Sequence, residues 1–353
     1  MALKDTLLAA SLGATMIAGT NTEAKETVAP PITPQQMQTL SPAEIQEMNF
    51  QKNYRHLYKN VDGAWFSFGD QKELRDILYD IGSFSMGRQV IAGLPEGIKL
   101  GSTNFIFSYQ KAGSYNARTN EVKINTRIMD EKNASLGTMK EFIFHELLHA
   151  YQKAQVVPKN LSVDECIYAD KLGEAEAYAW NMVLTATQKC CGGKYHMTKE
   201  QAQQLMKRDI IEEIRSSKEK DIDTGIYEVH QLQQSLITCR GNPEKAQKHM
   251  VAQIMKSLMN GDELIMPGWN EVYDNQAIHN AKYYSESGQL TTRGNPQGFQ
   301  KMMDYYQKQY GLTSKDVPLI LTQEAQKQID ALKKQRGEIT IFNKQRMSHR
   351  DNR

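Results

Sequence analysis

The chain of 353 residues contains no uninterrupted run of 18 or more apolar residues, so it offers no helix long enough to cross a bilayer. It also lacks a charge bias: 43 Lys and Arg stand against 41 Asp and Glu, a formal net charge of +2, and no nucleic-acid partner is expected. Cysteine is scarce, with four residues in all. Cys166 and Cys190 fall near opposite ends of one predicted helix, about 36 Å apart at 1.5 Å per residue, too far for a bridge. Disulfides would therefore require Cys239, and free thiols fit the count equally well. Cys190, Cys191 and His196 match no closed four-ligand zinc spacing. No internal repeat is evident. With 40% hydrophobic and 24% charged residues, the composition is that of an ordinary globular protein of one or two domains.

Proline is sparse except between Val28 and Pro34, which hold three of the ten. Residues 28–40 read as a linker. Before them, Lys4 and the uncharged stretch Thr6–Gly19 resemble a secretory signal within residues 1–27, so export to the periplasm or beyond is expected, with a cytoplasmic location as the alternative. Ser41-Pro42-Ala43-Glu44 opens a helix, and further helix starts fall at Thr198–Gln201, Asn242-Pro243, Asn295-Pro296 and Thr322. From Lys333 to Arg353 seven Lys and Arg face Glu338 and Asp351, a solvated tail.

The richest segment is His145-Glu146-Leu147-Leu148-His149. At 3.6 residues per turn, positions i and i+4 share a helix face, so both imidazoles can reach one ion, and zinc is the expected one. Glu146, one step round the helix, suits a general base acting on a metal-activated water. Chance would produce this pattern in a chain of this composition with a probability on the order of one per cent. Thr138 and Glu141 form a capping-box pattern, which predicts a helix from Thr138 to about Ala154. Phe142, Phe144, Leu147, Leu148 and Tyr151 make that helix largely buried. Upstream, Thr103–Gln110 and Glu121–Met129 read as short antiparallel strands, with turns at Ala112-Gly113-Ser114 and Arg118-Thr119-Asn120. Val122, Ile124 and Thr126 alternate with Lys123 and Asn125, as in a sheet covered on one face, and a strand beside the metal helix could pair with an extended peptide.

A third ligand is needed. Ser162-Val163-Asp164-Glu165 is a second capping box and opens a helix running to about Gln188. Within it, Gly173 next to small alanines points to close packing on the first helix, which would bring Glu174 across. Glu176 is the alternative third ligand; the two lie about 200 degrees apart and cannot both face one ion. Asp164, Glu165, Asp170 and His196 are further candidates that nothing selects. For an oxyanion-stabilising group, Tyr178, His196, Tyr227 and His230 are candidates.

With these residues in view, the chain resembles the gluzincin type of HExxH zinc metallopeptidase, and more closely bacterial metallopeptidase-like domains of uncharacterised function, over Thr103–Asn181. The resemblance implies a third ligand that is a glutamate followed by a small residue. That register falls on Glu174 and places Tyr178 where an acidic or amide group is usual. No glycine-histidine continuation follows His149, so the metzincin pattern does not apply.

The expected fold is α+β, mainly α, with a zincin-like core over residues 41–192 in which a small antiparallel sheet lies beside two metal-binding helices. Residues 193–353 form a helical C-terminal region. The expected function is zinc-dependent hydrolysis of peptide bonds in a peptide or protein substrate, with one Zn2+ per chain held by His145, His149 and Glu174 and with Glu146 as general base. The competing expectation is a non-catalytic helical binding or envelope-associated structural protein; a third is a metal-dependent hydrolase of non-peptide amides.

Overall fold

The computed structural model of the protein describes residues 77–95, 98–103, 113–125, 136–212, 224–262 and 266–337. The expected signal segment, the 28–40 linker and the helix start at Ser41 lie outside the described residues, as does the chain beyond Gly337. The architecture is mainly helical with one small sheet. In order, the elements are α1 (Ser85–Ala92), β1 (Lys99–Thr103), β2 (Gly113–Asn116), β3 (Glu121–Asn125), α2 (Leu136–Tyr151), a π-helical turn (Gln152–Val156) and α3 (Val163–Cys190). They continue with α4 (Lys199–Lys207), α5 (Thr224–Thr238), α6 (Pro243–Met259), α7 (Trp269–Glu286), α8 (Pro296–Tyr310) and α9 (Gln323–Arg336). Among the described residues no helix is long and apolar enough to cross a membrane.

Local chemistry sets most helix starts. Ser162 accepts from the Glu165 amide while the Glu165 side chain returns to the Ser162 amide, and Thr198 and Gln201 do the same at α4. Asn242 and Asn295 cap α6 and α8 ahead of proline, and Thr322 caps α9. The helix that carries His145 and His149 departs from expectation. It begins at Leu136, which puts Thr138 inside the helix rather than at its cap, and it gives way after Tyr151 to the π-helical turn. A Thr-x-x-Glu spacing fits two residues on successive turns as well as it fits a cap.

The sheet has order β1-β3-β2, with β1 parallel to β3 and β2 antiparallel to it, so it is mixed rather than antiparallel throughout. Side-chain alternation reports which face of a strand is buried, not its direction, so the parallel pair has no local signal. Val122 and Ile124 are buried as expected. Residues 104–112 and 126–135 are outside the described residues, so only Thr103 of the first expected strand is placed, at the end of β1. The turn at 117–120 is present, but Gly113 and Ser114 begin β2 instead of forming a turn.

Helix α3 is the spine of the protein. It packs against α2, α5, α6, α7 and α9, and one hydrophobic cluster runs from Ile77 to Leu332. Trp180, Phe84 and Phe144 form its aromatic centre, with ring centroids 5.3 to 6.3 Å apart. Buried charges tie later helices to the spine. Lys171 Nζ meets Asp274 of α7 at 2.5 Å and donates to Asn270 and the Ile320 carbonyl. Lys333, expected from the sequence to lie in a solvated tail, is buried in α9 against Asp164. The basic residues around it mask the buried side of that helix.

Candidate metal centre

On α2, His145 and His149 project from one face one turn apart, and their Nε2 atoms lie 3.0 Å from each other. Across from them α3 presents Glu174, whose Oε2 is 3.5 Å from His145 Nε2 and 3.4 Å from His149 Nε2. Among the described residues these three side chains form the one group placed to hold an ion. A tetrahedral zinc with bonds of about 2.0–2.1 Å has neighbouring donors roughly 3.3 Å apart, on a circle of radius about 1.9 Å. The circle through the three donors here, with sides of 3.0, 3.4 and 3.5 Å, also has a radius of about 1.9 Å. The donor set therefore fits zinc in size as well as in chemistry, and a tetrahedral ion held on this triangle would keep one position for a fourth ligand.

Three amides hold the three candidate ligands. His149 Nδ1 lies 2.9 Å from Gln152 Oε1, and Gln276 of α7 donates to Glu174 Oε1 at 2.5 Å, leaving Oε2 for the histidines. Asn181, seven residues after Glu174 on α3, places its amide 3.2 Å from His145 Nδ1, while its Oδ1 is buried with no partner among the described residues. Turning that amide over gives the orphaned oxygen an Nδ1–H and leaves Nε2 with a free lone pair, the tautomer a metal ligand needs.

Electrostatics point the same way. Burial alone would raise the pKa of Glu174, but the charge of His149 and hydrogen bonds from both imidazoles hold it well below the usual carboxylate range. Burial opposes charge on His149, yet Glu174, followed by Glu146 and Gln152, pushes it up to about 10. The Glu174 carboxylate is thus balanced by a proton on His149, a positive charge that a divalent cation would replace on binding.

No family model, curated protein or solved structure matches this chain. The geometry therefore carries the reading.

Glu146 is buried, 5% exposed, next to the start of β2. A Cβ at Gly113 would stand 2.9 Å from Glu146 Cγ and 3.1 Å from Ile124 Cδ1, so only glycine lets the strand approach this closely. Strand β2 is an edge of the described sheet, and its backbone passes the glutamate.

Glu176, the alternative ligand, turns away from the histidines. It is 0% exposed and bonded by Gln152, Tyr305 and Tyr310, as its rotation of about 200 degrees from Glu174 requires. The other candidate ligands are placed elsewhere: Asp164 pairs with Lys333, Glu165 serves the cap of α3 and the Asn295 amide, and His196 is exposed. Asp170 lies one turn before Glu174, with burial raising its pKa to about 6. Of the candidate oxyanion groups, Tyr227 is 48% exposed, His230 keeps a buried Nδ1 without a partner among the described residues, and Tyr178 is buried against Trp269. A further buried group within electrostatic reach of the site is one the sequence does not mark. Tyr273 of α7 stacks on Trp269 at 3.8 Å and is buried, and the charges of Glu174 and Glu146 add to the effect of burial in raising its pKa. Gln152, Asn181 and Gln276, like Tyr273, carry no spacing signal that could single them out. All four cysteines are free thiols, and burial pushes Cys190 and Cys191 up to about 11 and about 12, which makes them poor nucleophiles.

Proposed function

We propose that the protein is a zinc-dependent metallopeptidase with a zincin-like core, one ion being held by His145, His149 and Glu174. The observation that carries this reading is the donor triangle, whose 3.0, 3.4 and 3.5 Å sides suit one tetrahedral ion. When bound, zinc would supply Lewis-acid polarisation of a carbonyl and lower the pKa of a coordinated water. Glu146 follows His145 directly and lies against Gly113, where its carboxylate can take a proton from the attacking water and hand it to the departing amine. Tyr273, buried within electrostatic reach of both Glu174 and Glu146, is the candidate to donate to the developing oxyanion. The edge of β2 supplies backbone groups for an extended chain next to Glu146, which favours a peptide over a small amide substrate.

The test is a pair of variants of the full chain, assayed for zinc content and for hydrolysis of an unfolded protein substrate. Glu146→Gln should retain one zinc per chain and lose turnover by about 10²–10⁴-fold, as expected for a missing general base. His145→Ala should lose the metal. A wild-type protein that binds no zinc, or a glutamine variant with full activity, would remove the peptidase reading and leave the non-catalytic binding protein.

A further inference from the structure

Behind the metal ligands runs a second polar chain, buried at Gln152 and Glu176 and partly buried at its tyrosines. His149 Nδ1 faces Gln152 Oε1 at 2.9 Å. Gln152 is 3% exposed, and its Nε2 donates to Glu176 Oε2 at 2.8 Å and to the Gly173 carbonyl at 3.1 Å. Glu176 Oε1 in turn accepts from Tyr310 at 2.5 Å and Tyr305 at 3.1 Å, both from α8, and the Tyr310 hydroxyl accepts from Trp180 Nε1 at 2.8 Å. Two features of the fold make room for the glutamine. The π-helical turn starts at Gln152 itself, immediately after the metal helix, and Gly173 has no Cβ; one there would stand 3.1 Å from Gln152 Oε1.

The direction of this chain is determined. Glu176 Oε2 and the Gly173 carbonyl are both acceptors, so the two hydrogens of the Gln152 amide must point to them and its oxygen must point to His149. An imidazole facing an amide oxygen has to carry its proton on Nδ1. In the neutral ring, the form that binds a metal, Nε2 is then the atom with the free lone pair, and it is the atom in the donor triangle. The partners of Glu176 are the amide and hydroxyl groups that hold it in register, not a cation.

We propose that Gln152 and Glu176, anchored by Tyr305 and Tyr310, are positioning residues that fix the tautomer and orientation of the ligand His149, so that a helix near the C-terminal end of the described chain tunes the metal site. This rests on the zinc-site reading above and concerns metal affinity, not turnover. Zinc affinity would be measured on the full chain by competition with a chromophoric chelator, together with the absorption spectrum of the cobalt(II)-substituted protein. Gln152→Leu should weaken zinc binding by about 10–100-fold and change the cobalt spectrum, as loss of an outer hydrogen-bond partner does elsewhere. Glu176→Gln and Tyr305→Phe, gentler changes should the leucine variant not fold, should shift both readouts in the same direction. Gln233→Ala serves as the control for mere destabilisation. Gln233 bonds the Leu205 and Arg208 carbonyls in another part of the core, and its loss should lower the thermal midpoint without moving affinity or spectrum. If the wild type binds zinc and the relay variants keep its affinity within twofold and its cobalt spectrum, the relay is refuted while the metal site stands. If the wild type binds no zinc, both readings fall.

Discussion

Replacing Glu174 with alanine removes the single anionic donor of the triangle, and with it most of the stability that a bound zinc would add. Zinc supplied at a free concentration of 100 Kd stabilises the folded wild type by about 2.7 kcal/mol. For a domain of this size that raises the thermal midpoint by roughly 5–10 °C. In the structure Glu174 Oε2 is within 3.5 Å of both Nε2 atoms, so its removal opens two of the three sides of the triangle. The affinity should fall by at least the ~100-fold that marks the upper range for loss of an outer partner. At the same zinc concentration the stabilisation then shrinks to about 0.4 kcal/mol, a midpoint shift of roughly 1 °C. Differential scanning calorimetry of stripped and zinc-loaded protein reads this directly, each variant being compared with its own metal-free midpoint. Gln233→Ala, by contrast, touches neither the triangle nor the groups behind it and should keep the full zinc-induced shift. A Glu174→Ala protein that still gains roughly 5–10 °C would show that the carboxylate does not hold the ion, and the three-ligand argument would fail with it.

Two further outcomes follow from particular contacts. Gly113→Ala forces Glu146 or β2 to retreat by about half an ångström, which should lower kcat on a peptide substrate about tenfold while zinc content stays at one per chain; an unchanged kcat would contradict the close approach. Burial raises Glu141, one turn before His145, from its ordinary 4.5 to about 8, against a hydrogen bond from Thr185. Its contribution to stability is therefore full below about pH 4.5, where the carboxyl is neutral in both states, and is lost as pH rises through about 8. Glu141→Gln should flatten that loss, by a few kcal/mol on the order expected for such a shift, in urea unfolding at about pH 5 and about pH 9; parallel curves would refute it.

Much of the site is legible in the sequence because its signals are local. The i, i+4 spacing of His145 and His149 is fixed by helix geometry, and Ser162, Thr198, Asn242, Asn295 and Thr322 each mark a helix start through hydrogen bonds that span three residues. Glu174 is within reach of the same reasoning because Gly173 signals a close contact, although the contact is with the Gln152 side chain rather than with the body of the first helix. The groups that complete the site leave no such trace. Gln276 and Tyr273 arrive from about a hundred residues downstream, and Tyr305 and Tyr310 from further still, through packing that no local pattern encodes. Gly113 is expected in a turn and instead opens a strand, because glycine marks both tight turns and places where backbone must pass a side chain, and its neighbours do not say which.

The long helix from Val163 to Cys190 carries groups that look in opposite directions: Glu174 towards the histidines, Glu176 towards two tyrosines, and Lys171 and Asp164 towards partners on α7 and α9. A fragment ending near residue 192 would strip Lys171 and Asp164 of their counter-charges and leave Glu176 with Gln152 alone. Any attempt to minimise the protein for use as a scaffold has to keep the later helices, because they supply the interior lining against which the Glu174-bearing helix is shaped.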